Sequence, residues 1–436
     1  MLPMLFSTTS ILVSVLNSVL LLPAAPPAAE AARGAPTDAS AAQWPRFRGP
    51  GGLGVTPASD VPVEFDGKLG KGICWKAPVA LPGPSSPILW DGRIYVTGAD
   101  ADRRAVFAFD AASGKSLWQA EIPAAAGGAQ KNLKEDDAED DETILAGSTP
   151  AADGKRIFAI FGTGDVAAVD PEGKVLWSRG LGRPVNAYGH ASSLEIWRDR
   201  LIVQLDQGEM EDKKSKLLAL DASTGRTVWE APRPVPASWS TPITVAAEGR
   251  EEIIACGGSW VMAHDPATGA ELWRAKCLGG EVVPSPVFAG GLVIAAAVDG
   301  KLAAIRPGGK GDVTADRIVW ESEDDLPSIA CPLATGELVI TASSGGFVVC
   351  CETGTGKRLW TKDFETNFLA SPVLAGGTVI FIDENGVLSA FKAARTYEPV
   401  ARSELGEPCQ ATPMPAPGRL YIRGRKHLYA IGPTER

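Results

Sequence analysis

Asp110-Ala-Ala-Ser-Gly-Lys-Ser-Leu-Trp118 decides the fold, because its second half returns along the whole chain. Gly-Lys-Val-Leu-Trp177, Gly-Arg-Thr-Val-Trp229, Gly-Ala-Glu-Leu-Trp273, Asp-Arg-Ile-Val-Trp320 and Gly-Lys-Arg-Leu-Trp360 repeat it, and a shorter Gly-Ile-Cys-Trp75 precedes it. Successive tryptophans are 43, 59, 52, 44, 47 and 40 residues apart. Similarity at that period marks an array of small supersecondary units, each able to bury its apolar face only against a neighbour.

The unit around Trp118 shows what is repeated. Ile88 to Trp90, Arg93 to Thr97, Ala105 to Phe109 and Ser116 to Trp118 are short β-branched or aromatic runs, with Asp91-Gly92 and Asp110 to Lys115 as reversals between them. Gly114 supplies the positive φ that the last turn needs. Asp316 holds that place before Trp320 and is expected to adopt the same backbone. The third run closes on an acid at Asp110, Asp170, Asp221, Asp265 and Glu352, a position suited to accepting the turn's backbone N–H groups.

Each unit opens on a similar tripeptide: Ser85-Ser-Pro87, Ser148-Thr-Pro150, Ala191-Ser-Ser193, Ser240-Thr-Pro242, Pro284-Ser-Pro286, Ala330-Cys-Pro332, Ala370-Ser-Pro372 and Ala411-Thr-Pro413. Eight openings predict an all-β, eight-bladed β-propeller of four-stranded antiparallel blades over residues 71–432. The last unit has three strand candidates only. Its fourth is expected from Lys71 to Trp75, so that an N-terminal strand closes the ring. Trp75, Trp118, Trp177, Trp229, Trp273, Trp320 and Trp360 are then structural, each filling the gap to the next blade.

Composition narrows function less than fold. The 436 residues are 45% apolar and 22% charged, ordinary for a globular chain, and the net charge of −10 offers no basic stripe for nucleic acid. Residues 1–32 read as an export signal, with an uncleaved anchor as the alternative. Leu5 to Leu22 is mostly apolar and small residues follow near Ala31, but no Lys or Arg precedes Arg33. No cysteine precedes Cys74, so a lipoprotein is not expected. The seven cysteines show no Cys-x-x-Cys or metal-like spacing and read as buried thiols.

The phrase Asp-x-x-Thr/Ser-Gly-Lys-x-x-Trp resembles the tryptophan-docking repeat of the pyrroloquinoline-quinone-like β-propellers, from about Trp44 to Ile431. The lead-in (residues 33–70), with Trp44-Pro-Arg-Phe-Arg-Gly-Pro-Gly-Gly-Leu-Gly-Val55, and Tyr188-Gly-His-Ala-Ser-Ser193 resemble exported, BamB-like members of that family. The resemblance implies one of two activities. One is a quinoprotein dehydrogenase using the quinone with calcium; the other is a non-enzymatic docking platform.

Site candidates are few. Cys350-Cys351 invites comparison with the quinoproteins' vicinal disulfide, but setting Gly356 on Gly114 puts both in a third strand, as packing residues. Asn186 and Asp383-Glu-Asn-Gly386 are the amides of interest, the latter a hairpin turn. Tyr188, His190 and Trp239 precede first strands and are candidates for a polar–aromatic mouth on the central channel. The acidic run 131–142 and the stretch Gln207 to Lys214 are solvated loops where partner contacts would sit. No catalytic, cofactor or metal residues are assigned and no cofactor is expected. The sequence reading leans to a monomeric, exported, periplasmic or envelope scaffold for protein partners. A quinoprotein dehydrogenase and a small-ligand or carbohydrate sensor are the alternatives.

Overall fold

The computed structural model describes residues 43–124, 144–324 and 326–433, all within the unit Asp38–Arg436. The export segment 1–32 and the acidic run 131–142 lie outside the described residues.

Eight sheets follow one another along the chain, each built on four antiparallel strands, in sequence order in the first seven. The first is Ile88–Trp90, Arg93–Ala99, Arg104–Asp110 and Ser116–Glu121. The eighth is Met414–Ala416, Arg419–Arg423 and His427–Ile431, completed by Ile73–Pro78 from the other end of the propeller. The propeller is therefore closed by backbone hydrogen bonds between distant segments, and Trp75 belongs to the closing strand.

A bulge recurs where the fourth strand meets the third. In blade one Ala108 pairs with Trp118 and Phe109 with Ser116, which leaves Leu117 out of the ladder. The same shift skips Leu176, Val228, Val319 and Val400, and all five aliphatic side chains are exposed. An extra residue bends its strand and sharpens the twist. Here that bend swings the neighbouring Trp onto the next blade. Trp118 donates to Pro171 O (2.9 Å), Trp177 to Ala222 O (3.0 Å) and Trp75 to Ala111 O (3.0 Å). Its ring lies on the turn glycine: a Cβ added at Gly173, Gly225 or Gly114 would meet the indole at 2.8, 2.6 or 2.5 Å. The glycine serves two ends, a positive φ and the absence of a side chain.

Trp273 departs from the pattern, and so does the turn it would have met. Residues 306–317 replace the tight turn of blade five; Gly311–Asp312 adds as a parallel strand beside Trp273, and Thr314–Arg317 forms one helical turn. Asp316 sits in that turn and not in the left-handed region, contrary to the expectation from its alignment with Gly114. The insertion was long enough to form its own hydrogen bonds. Trp273 instead donates to the buried Glu252 carboxylate of its own blade at 2.8 Å.

Cys350 and Cys351 are successive buried residues of Phe347–Glu352, opposite Ile340 and Val339, and face opposite sides of that strand. The turn acids cap as expected. Asp221 accepts from the amides of Ser223 and Thr224, and Asp265 from those of Ala267 and Thr268.

Candidate functional site

The first strand of each blade faces the central axis, and in every blade but the seventh its outward N–H groups have no neighbouring strand to pair with. The tripeptide openings solve this. The middle residue of each, or the third in blade three, donates its amide to the side chain at the same place in the next blade. Ser86 N donates to Thr149, Thr149 N to Ser193, Ser193 N to Thr241 and Thr241 N to Ser285. Ser285 N donates to Cys331 Sγ, Cys331 N to Ser371, Ser371 N to Thr412 and Thr412 N back to Ser86. The distances run from 2.8 Å (Ser193 to Thr241) to 3.2 Å (Ser285 to Cys331), and the ring of eight is closed. Proline follows seven of the eight, removing the next amide that would lack a partner; Leu194 is the exception.

The ring forms the neck of a funnel of about 450 Å³. Two residues upstream along each strand lie Pro84, Gly147, Ala191, Trp239, Val283, Ile329, Leu369 and Gln410, which form the wider, mostly apolar layer above it. Tyr188, Ile144 and Glu281 stand further out.

The floor comes from the lead-in. Trp44 exchanges backbone hydrogen bonds with Leu89 (2.8 and 3.0 Å), and Pro45 O accepts from Ala152 N (2.7 Å). Arg46 donates to Pro242 O (2.9 Å) and pairs with the buried Glu195. Val55–Thr56 then runs parallel to the first strand of blade seven. The segment thus spans the channel from blade one to blade seven, satisfying inner-edge groups that the ring does not reach. Phe47 lines the bottom of the funnel.

Arg48, beside Phe47, is fully buried. Its guanidinium packs on Gly54, where a Cβ would come within 2.8 Å, and reaches Pro372 O at 3.4 Å. Burial lowers its pKa, and the adjacent Cys331 opposes that shift. No carboxylate faces it among the described residues, and Nε and Nη1 have no oxygen acceptor there. A residue carrying such an uncompensated charge is costly to bury.

Of the residues nominated from sequence, Tyr188 and Trp239 meet edge to face, with ring centroids 5.2 Å apart, and both line the funnel. His190 lies behind them. It is buried, donates its backbone N–H to Gly162 O (3.0 Å), accepts from Ser148 Oγ at its own carbonyl (3.2 Å), and burial pushes its imidazole pKa down to about 4. Sequence reasoning passed over the neck residues and Arg46, Phe47 and Arg48. The signal for the first was on the page, in the hydroxyl-Pro openings; for the second it was two arginines flanking an aromatic in a short glycine-rich segment.

A family model described as outer membrane protein assembly factor BamB matches residues 55–195, 213–314 and 309–403, most of the chain. The chain belongs to the BamB family of repeat propellers. Over 131 residues it is 24% identical to the outer membrane protein assembly factor BamB of Marinobacter adhaerens, a match covering 29% of this chain and 31% of that protein. The chain thus spans under a third of the curated relative it matches. The crystal structure of BamB from Moraxella catarrhalis superposes with a TM-score of 0.61 at 18% identity, covering 82% of this chain and 99% of that one. A europium-containing methanol dehydrogenase gives 0.54 at 14% identity, covering 90% and 89%. At such identities the likeness is one of fold, and the fold serves both kinds of protein.

Proposed function

We propose that this chain is an exported, non-enzymatic scaffold that binds protein partners at the cell envelope. The observation that carries the reading is the character of the funnel's open face. In every blade the connection into the first strand and the hairpin between the second and third strands emerge on that face. Ile144, Val185, Met210 and Ile329 lie on these connections, Phe347 is the strand residue that follows one of them, and all five are exposed. Exposed aliphatic and aromatic side chains on the face where a funnel opens are a mark of protein contact. The stretch Gln207 to Lys214, which lengthens a hairpin of blade three, is on the same face, and the floor is taken up by the lead-in. The BamB family name, with its assembly-factor description, supports the same kind of role.

The lining also supports a reading without quinone or calcium. Calcium takes about six to eight oxygen ligands, usually including several carboxylates. Among the described residues the funnel offers one carboxylate, Glu281, and no Lys or Arg to hold a tricarboxylate quinone. These residues do not fit that pair.

Site-specific photo-crosslinkers at Val185, Ile329 and Phe347, with Leu117 and Val228 as controls, test the scaffold in the source organism's envelope. Discrete protein adducts from the first set and none from the second are expected. Absence of adducts from the open face, or dye-linked alcohol oxidation by purified protein given quinone and calcium, would sink the reading.

A further inference from the structure

The neck of the funnel holds unused hydrogen-bond donors. Each of its seven hydroxyls has accepted an amide, yet none donates its own O–H to a protein acceptor among the described residues. A hydroxyl carries one such donor. The Trp239 indole N–H, in the wall above, is also buried without an acceptor. Beneath the ring, Arg48 contributes a buried guanidinium that packs on Gly54 and whose polar neighbours among the described residues are Pro372 O and the thiol of Cys331, and Cys331 is itself a member of the ring.

From these features we infer that the neck is a binding site for one carboxylate, carried on the end of an apolar chain. Hydroxyls with a free O–H at the narrowest level, a donor-only indole N–H above and one uncompensated cation below suit a compact acceptor group of single negative charge. The layer above, with Pro84, Val283, Ile329 and Leu369, asks for an apolar body behind that group. The funnel volume is in the range of small-ligand sites. Two features set the charge at one. Among the described residues the lining has no Lys or Arg, and Glu281 at the outer edge disfavours a second negative group. Inorganic phosphate, which is doubly charged and lacks an apolar part, fits poorly. The site stands independently of the scaffold reading, since neither a partner nor a location enters the argument.

Isothermal titration of the full chain with octanoate, octan-1-ol, octylamine and inorganic phosphate tests it. Trileucine and its C-terminal amide separate a peptide terminus from a free organic acid as the source of the carboxylate. Octanoate or trileucine should bind about tenfold or more tightly than the alcohol or the amide, the equivalent of one charge-assisted hydrogen bond. Octylamine and phosphate should not compete. Arg48→Gln should remove the preference for the acid over the alcohol. Ala191→Phe, which fills the layer above without touching the ring or the floor, should abolish binding in a protein of unchanged melting temperature, and it serves if Arg48→Gln does not fold. The proposal is overturned if no carboxylate binds at millimolar concentration, if octanol matches octanoate, if phosphate competes, or if octanoate binding survives Ala191→Phe.

Discussion

His190 and His264 are kept neutral where a charge could not be solvated. Both are buried, and burial pushes each imidazole from its ordinary 6.5 down to about 4. In the unfolded chain they protonate near pH 6.5, so between those values the unfolded state binds more protons. Their contribution is therefore complete above pH 6.5, is lost progressively as pH falls toward 4, and changes no further below that. Each is worth on the order of 3 kcal/mol across the window. Urea unfolding at pH 7 and pH 5 should show a marked loss, and the double variant His190→Asn/His264→Asn a shallower one. An unchanged slope in that variant would assign the loss to other groups. The turn glycines give a second residue-scale prediction. Gly92 and Gly225 have similar φ of 68° and 70°, but a Cβ at Gly92 meets nothing within 4 Å whereas at Gly225 it meets Trp177 at 2.6 Å. Gly92→Ala should cost only the left-handed backbone penalty, about 1–2 kcal/mol. Gly225→Ala should cost about 1–3 kcal/mol more, through displacement of the indole. Equal urea midpoints for the two would mean that the glycine is there for its φ alone.

At the scale of the element, the neck shows how a first strand manages an unpaired inner edge. The ring needs an acceptor at each place and is indifferent to which kind. Cys331→Ser should therefore leave stability within about 0.5 kcal/mol, because the amide of Ser285 keeps an acceptor. Ser285→Ala strands the buried amide of Thr241 and should cost about 1–3 kcal/mol. Matching urea midpoints would show that water replaces the lost hydroxyl. Much of this element was legible beforehand. The count of openings, the acid-capped turns and the strand placement of Cys350 and Cys351 follow from period-2 and turn chemistry, which are local. The ring was not, although its residues had been counted. A Ser or Thr before Pro signals a strand start in sequence; that its hydroxyl serves a neighbouring blade depends on radial closure. Asp316 was misread for a related reason, and the same insertion gives the Trp273 indole a different acceptor. A repeat alignment transfers a role only where the partner turn keeps its length, and residues 306–317 do not.

Over the whole molecule, closure operates at two radii. Ile73–Pro78 closes the outer circumference, as the lone Trp75 implied, and the lead-in closes the centre. The second closure left no periodic trace, since Trp44 to Thr56 contacts a different blade every few residues. Its logic is the edge strand again. The ring satisfies the inner-edge amides at Ser86, Thr149 and Ser371, and the amides three residues on, at Leu89, Ala152 and Leu374, donate to Trp44 O, Pro45 O and Gly54 O. Replacing residues 44–56 with a Gly-Ser linker removes the second set of acceptors and leaves the first. Hydrogen exchange at Leu89, Ala152 and Leu374 should then accelerate by several orders of magnitude, toward rates set by local opening, while Ser86, Thr149 and Ser371 stay protected. Uniform acceleration at all six amides would instead make the lead-in a determinant of global stability, with no separate part in sealing the floor. Unchanged exchange at the first three would mean that water serves that edge as well as the lead-in does.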